Sequence, residues 1–187
     1  MPNWCQNTIL FNGPTEELSK LIETVEGPNT SLSLRKIIST PEELVTSSAP
    51  NRNENDAARF LTLYGAKDWY DFQIKNWGTK WDVQAQIIYD SKESAMGYQT
   101  YTEKEVRTVK MEFESAWSPP QLAILMLAKQ FPNTNIYHSY DESGSDYSGY
   151  DMYSNGECVK SEEFKSYSTM RMYMEPDTDI FDYFPES

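Results

Sequence analysis

The chain has 187 residues, 14% of them aromatic and 24% charged, enough to build one cored domain without disulfide or metal staples. A net charge of -13 sets it against duplex DNA, RNA and anionic lipid at long range, and two cysteines, Cys5 and Cys158, exclude a disulfide framework. The charge is lopsided: residues 141–187 carry 12 acidic and 3 basic side chains.

Residues 7–11 have strand composition, and Gly13-Pro14 then turns the chain. Pro14 suits a first helical position, and Leu18, Leu21, Ile22 and Val25 form one apolar stripe at helical spacing. Gly27-Pro28 ends that helix. Residues 29–76 read as an α-rich insertion that cannot bury much by itself. Within it, residues 31–38 suggest a strand, and Thr40 with Glu43 forms a capping box around Pro41. Residues 56–64 suggest a helix stopped by Gly65, and residues 68–76 another stopped by Gly78.

From residue 80 to 89 the pattern alternates. Trp81, Val83, Ala85, Ile87 and Tyr89 share one face, and Asp82, Gln84 and Gln86 the other, which predicts a half-buried strand. A second alternating strand starts near Val106, with Val109, Met111 and Phe113 inward and Lys110, Glu112 and Glu114 outward. Ser118 and Gln121 form a capping box for a helix over residues 119–130, apolar nearly all round, which the sheet and the insertion must cover on two sides. Residues 136–140 and 147–153 follow as strands, Asn155-Gly156 signals a hairpin, and residues 167–174 suggest a further strand before an acidic tail. The order is β-α-β-β-α-β with extra C-terminal strands. This is an α+β, ferredoxin-like arrangement, an antiparallel sheet with both helices on one face. Residues 1–160 form the single domain in this reading, and residues 161–187 a C-terminal extension.

Several motifs coincide along the same stretch: Pro2-Asn3-Trp4-Cys5-Gln6-Asn7, Lys36-Ile37-Ile38-Ser39-Thr40-Pro41-Glu42-Glu43-Leu44, Asn76-Trp77-Gly78-Thr79-Lys80-Trp81, and Ala116-Trp117-Ser118-Pro119-Pro120 with Phe131-Pro132. In these the chain resembles the YubB-like family, ferredoxin-like-domain proteins of bacteriophages, prophages and conjugative plasmids. The resemblance spans residues 1 to about 156, with Ser39 where the family usually has Pro. It implies the fold and a mobile-element origin, and brings no activity or catalytic residue.

Chemistry has few candidates. His138 is the only histidine, alternates with Ile136 and Tyr140, and reads as a packed strand residue; an enzyme would have to use it with Asp141 or Glu142. One His with two distant Cys cannot furnish a zinc site, and the start of a calcium loop at Asp141, Ser143 and Ser145 lacks Gly at its sixth position and Glu at its twelfth. No phosphate-binding glycine loop occurs, so no cofactor is expected. The opening residues lack the basic start of a secretory leader, and the longest apolar run, 122–128, is too short to span a bilayer, so a host-cytoplasmic setting is expected.

The expected function is therefore non-enzymatic binding of a basic host protein surface, through Glu112 and Glu114 on the open sheet face and Asp141, Glu142, Asp146 and Asp151 in the acidic C-terminal part. Its concrete form is an inhibitor of host defence that imitates nucleic acid. The alternatives are a single-stranded nucleic-acid binder stacking bases on Trp77, Tyr137 and Tyr150, and an assembly component docking through Phe181, Tyr183 and Phe184.

Overall fold

Along β1 (Trp4–Pro14) burial alternates residue by residue: Cys5, Asn7, Ile9 and Phe11 point into the protein, and Gln6, Thr8 and Leu10 point the other way. This is the opening strand of a computed structural model that describes residues 2–91, 106–166 and 168–170. After β1 come α1 (Thr15–Val25), α2 (Leu34–Ile37), α3 (Glu42–Val45), α4 (Glu54–Tyr64), α5 (Trp69–Trp77), β2 (Gln86–Asp90), β3 (Val106–Ala116), α6 (Gln121–Gln130), β4 (Asn135–Glu142), β5 (Tyr147–Ser154) and β6 (Glu157–Phe164). The sheet runs β2-β3-β1-β4-β5-β6, every neighbouring pair antiparallel. Its first four strands have the ferredoxin-like order, with β1 and β3 central, and β5 and β6 extend the β4 side.

The stripe expected on α1 packs as such: Leu18, Leu21 and Val25 are fully buried with Ile9, Phe11, Val109, Met111 and Phe113 from the sheet. Ala123, Ile124, Leu127 and Ala128 of α6 complete this layer. Burying that apolar area is the dominant favourable term for the domain. The insertion builds a second, smaller core from Leu44, Phe60, Ala66 and Phe72. Trp77 ties the two together: its ring is fully buried in the main core, and its Nε1–H donates to the carbonyl of Ile38 at 2.9 Å. The insertion covers α6 only in part, since Leu122 and Met126 stay exposed.

Four local expectations change. Residues 34–37 are helical rather than extended because Asp82 caps that turn, accepting from the Ser33 hydroxyl at 2.7 Å and the Leu34 amide at 2.6 Å. The strand expected from residue 80 starts only at Gln86. Val83 and Ala85 are buried, but Trp81, Ile87 and Tyr89, expected on the same face, are exposed; the register shifts between Ile87 and Tyr89, and the Ala85 amide donates to the Thr30 hydroxyl while its carbonyl accepts from the Ser31 amide, so the ladder bonds go elsewhere. Neither expected capping box forms. Thr40 is buried and accepts from the Gln73 amide at 3.4 Å, and Ser118 donates to the Gly78 carbonyl at 2.6 Å while α6 begins after Pro120.

The hairpin at Asn155-Gly156 has both residues at positive φ, 52° and 77°, the backbone a two-residue hairpin loop requires. It leads into β6, which the sequence reading did not anticipate and which runs through the boundary expected at residue 160. The strand expected over 167–174 and the acidic tail lie outside the described residues, apart from Ser168–Met170, which are helical.

Candidate protein-docking face

The strand register decides which carboxylates face outward. On the side of the sheet away from the helices, Gln6 of β1 stands opposite Glu114 of β3 on one flank and Asp141 of β4 on the other. Two strand spacings separate these carboxylates, about 10 Å. Thr8 stands opposite Glu112 in the same way. Glu112 and Glu114 are exposed and Asp141 half-buried, so these three expected site residues lie on one face.

The charges are not equivalent. Lys110 pairs with Glu112 at 3.3 Å, and Lys160 with Glu162 at 3.2 Å. Glu114 receives the Gln6 amide at 2.5 Å, a hydrogen bond from a neutral donor, and Asp141 has no cationic partner among the described residues. Partial burial, with the charges of Glu142 and Asp146 beside it, holds the Asp141 carboxyl above its ordinary value. Uncompensated negative potential therefore collects around Gln6.

Two depressions flank that point. One, of about 510 Å³, lies over β1 and β4 and is lined by Gln6, Leu10, Lys110, Tyr137 and Asp141, with Met170 at its side. The other, of about 550 Å³, lies over β1, β3 and the chain entering β2, and is lined by Trp4, Gln6, Gln84, Gln86, Glu112 and Glu114. Gln6 and Glu112 belong to both, so the two form one trough across the central strands.

The remaining expected site residues go elsewhere. Strand parity turns Glu142 and Asp151 to the helix side, where they are 3% and 2% exposed and cannot meet a partner. Glu142 accepts the Gly144 amide at 2.9 Å and so shapes the turn. Asp151 is the hub of a buried network: Gln121 donates to it at 2.8 Å, Ser161 at 2.6 Å and Tyr153 at 3.3 Å. Asp146 is exposed in the β4–β5 turn with φ 48°, outside both depressions.

His138 lies on the helix side, fully buried opposite Asp151 and stacked near Phe113 at 6.4 Å. Its Nε2 meets the Asn7 Oδ1 at 3.0 Å. Burial holds the imidazole neutral, its pKa lowered to about 4 against the opposing pull of Asp151. Of its two candidate partners in an enzyme reading, Asp141 faces the opposite side of the sheet, and Glu142 is buried on the same side and accepts the Gly144 amide.

Of the three rings expected to stack bases, Trp77 is core, and Tyr137 and Tyr150 do lie on the open face. They stack on each other at 5.7 Å, and Tyr150 on Phe164 at 6.2 Å, with Met152 beneath, and both tyrosines are buried. The outward carboxylates are therefore Glu112 and Glu114 of β3 and Asp141 of β4, and beyond them the face over β4–β6 carries a packed aromatic row. Sequence reading missed Trp4. It shares the parity of Gln6 and Thr8, is 44% exposed, and lies 6.1 Å from Trp81. Extending the strand read over residues 7–11 backward by three residues would have found it. The aromatics Phe181, Tyr183 and Phe184 lie outside the described residues. Among the described residues no group of three or more His, Cys, Asp or Glu is arranged to hold a metal ion, and no helix is long and apolar enough to cross a membrane.

Comparison with known proteins bears on the fold. No curated protein sequence matches the chain. A crystal structure of protein api92 from Yersinia pseudotuberculosis is similar with a TM-score of 0.51, covering 88% of this chain and 98% of that one at 12% identity. At that identity the likeness extends to the fold alone. Residues 97–182, which contain β3, α6 and β4 to β6, match the family model of a ferredoxin-like domain in Api92-like protein.

Proposed function

We propose that the chain is a non-enzymatic binding protein that docks a basic protein surface onto the open face of its sheet. The observation that carries this reading is the trough around Gln6, where Glu114 and Asp141 flank one point without a cationic partner among the described residues while the nearby lysines Lys110 and Lys160 are paired. A basic surface would neutralise both carboxylates at once, and its approach would be favoured by the -13 net charge. The finer reading belongs to the same proposal: an accessory protein of a phage or plasmid, as the YubB-like resemblance implies, acting in the host cytoplasm on a protein that normally holds nucleic acid. It now draws on Glu112, Glu114 and Asp141, since Glu142 and Asp151 are structural.

Co-purification from host lysate at low and high salt, with the wild-type chain and a Glu112→Gln/Glu114→Gln/Asp141→Asn variant, tests the reading. A partner held at low salt, released at high salt and lost by the variant supports it. Absence of any partner at low salt, or one indifferent to both salt and the substitutions, refutes it.

A further inference from the structure

The depression beside Trp4 has a chemistry of its own. It offers the acceptor-only carboxylates of Glu112 and Glu114 beside the amides of Gln6, Gln84 and Gln86, and no lysine or arginine among the described residues is in its lining. Its other acid, Asp82, is occupied by Ser33, Leu34 and Val83. One wall is the exposed Trp4 indole. The neighbouring rings already hold a cation: the Lys80 ammonium lies 4.7 Å from the centre of Trp81 and 5.7 Å from that of Tyr70. Cations are attracted to such ring faces, indole most strongly.

We propose that this depression takes the guanidinium group of an arginine side chain, its plane against Trp4 and its N–H edge toward Glu114 and Glu112. The inference rests on the docking face above and names its anchor. A guanidinium has five donors and no acceptor, which matches a site rich in acceptors. It stacks on aromatic faces and binds carboxylates in a fork, whereas an ammonium is a compact point charge. A nucleotide would set its phosphate against Glu112 and Glu114, and a neutral sugar would leave the charge of Glu114 without a cation, since Lys110 already pairs with Glu112.

Calorimetric titration of the full chain with hexa-arginine, hexa-lysine and hexa-citrulline peptides tests the assignment. Citrulline keeps the shape of arginine and lacks its charge. The arginine peptide should bind several-fold more tightly than the lysine peptide, with no measurable binding by citrulline. Glu114→Gln and Trp4→Leu should each weaken the arginine peptide about tenfold. Glu114→Gln keeps side-chain volume and a bond to Gln6, so the test survives if Trp4→Leu disturbs folding. Citrulline binding as well as arginine overturns the anchor, as does tighter binding of a single-stranded oligonucleotide or an oligosaccharide. If Asp141→Asn weakens the arginine peptide and both other variants do not, the anchor is wrong and the docking face stands. If none of the three substitutions matters, both fall.

Discussion

The single histidine makes one pH prediction unusually clean. His138 is fully buried and its pKa is lowered to about 4, while an unfolded chain protonates histidine near its ordinary value of 6.5. Between those values the unfolded state binds the proton and the native state does not, so stability falls as the pH falls. The contribution is fully present above about pH 6.5 and lost by about pH 4. The slope reaches at most about 1.4 kcal/mol per pH unit, and the shift integrates to about 3 kcal/mol. Asp151, opposite on β5, pulls the imidazole the other way, and the net direction is set by burial. His138→Gln removes the titration and keeps a donor toward the Asn7 oxygen, which Nε2 meets at 3.0 Å. Urea unfolding of both proteins across this pH range should show the wild-type midpoint falling by about 1.5 M more than that of the variant, taking a slope of about 2 kcal/mol per M. Carboxylate titrations common to both proteins cancel in that difference. Parallel profiles, or a native histidine resonance that titrates near pH 6.5, would refute the reasoning.

Arg107 donates to Asp90 at 3.0 and 2.5 Å and to the Ser19 hydroxyl at 3.0 Å, so Arg107→Met leaves a buried carboxylate without its cation and should cost about 3–5 kcal/mol in denaturant melts; pairing it with Asp90→Leu should restore most of that loss. Gly149→Ala drives a methyl group against the Tyr140 hydroxyl and to 2.6 Å from the Glu162 carbonyl, at the junction of three strands, and should cost about 2 kcal/mol by thermal unfolding; a neutral variant would show that β5 and β6 can separate freely. Asp151→Asn should destabilise the fold by about 2 kcal/mol, because one acceptor of a buried network becomes a donor, while leaving the salt dependence of partner binding unchanged; Glu114→Gln should do the reverse.

How far the sequence reaches into this structure depends on whether a signal is local. The α1 stripe, the strand composition of residues 7–11, the period-two run of β3 and the Asn155-Gly156 turn each express a backbone preference within a few residues, and each forms. The β-α-β-β-α-β order followed from them. The two capping boxes failed because their side chains found distant partners: Thr40 meets Gln73 and Ser118 meets Gly78. Such competition is tertiary and leaves no trace in spacing. The late start of β2 has the same origin, since residues 30 and 31 take the backbone bonds of Ala85. β6 escaped notice because it is an edge strand among the described residues that carries Glu157, Lys160, Ser161, Glu162 and Glu163 in place of an apolar alternation.

The same distinction explains the outcome for the candidate site. Composition counts the acids of the C-terminal part, but composition is blind to parity. Adjacent residues such as Asp141 and Glu142 point to opposite sides of one strand, so a run of acids delivers only part of its charge to any one surface. Here the inward members became structural: Glu142 shapes a turn, and Asp151 joins α6 to β5 and β6 through Gln121 and Ser161. The outward members are drawn toward Gln6, because β3, β1 and β4 are neighbours only after folding. A chain of high net charge thus presents a small focus of it, beside an indole that belongs to the first strand. Counting acids along the sequence overstates the extent of such a surface. Registering the strands gives its position, and that position is where neutralising substitutions should change binding without unfolding the protein.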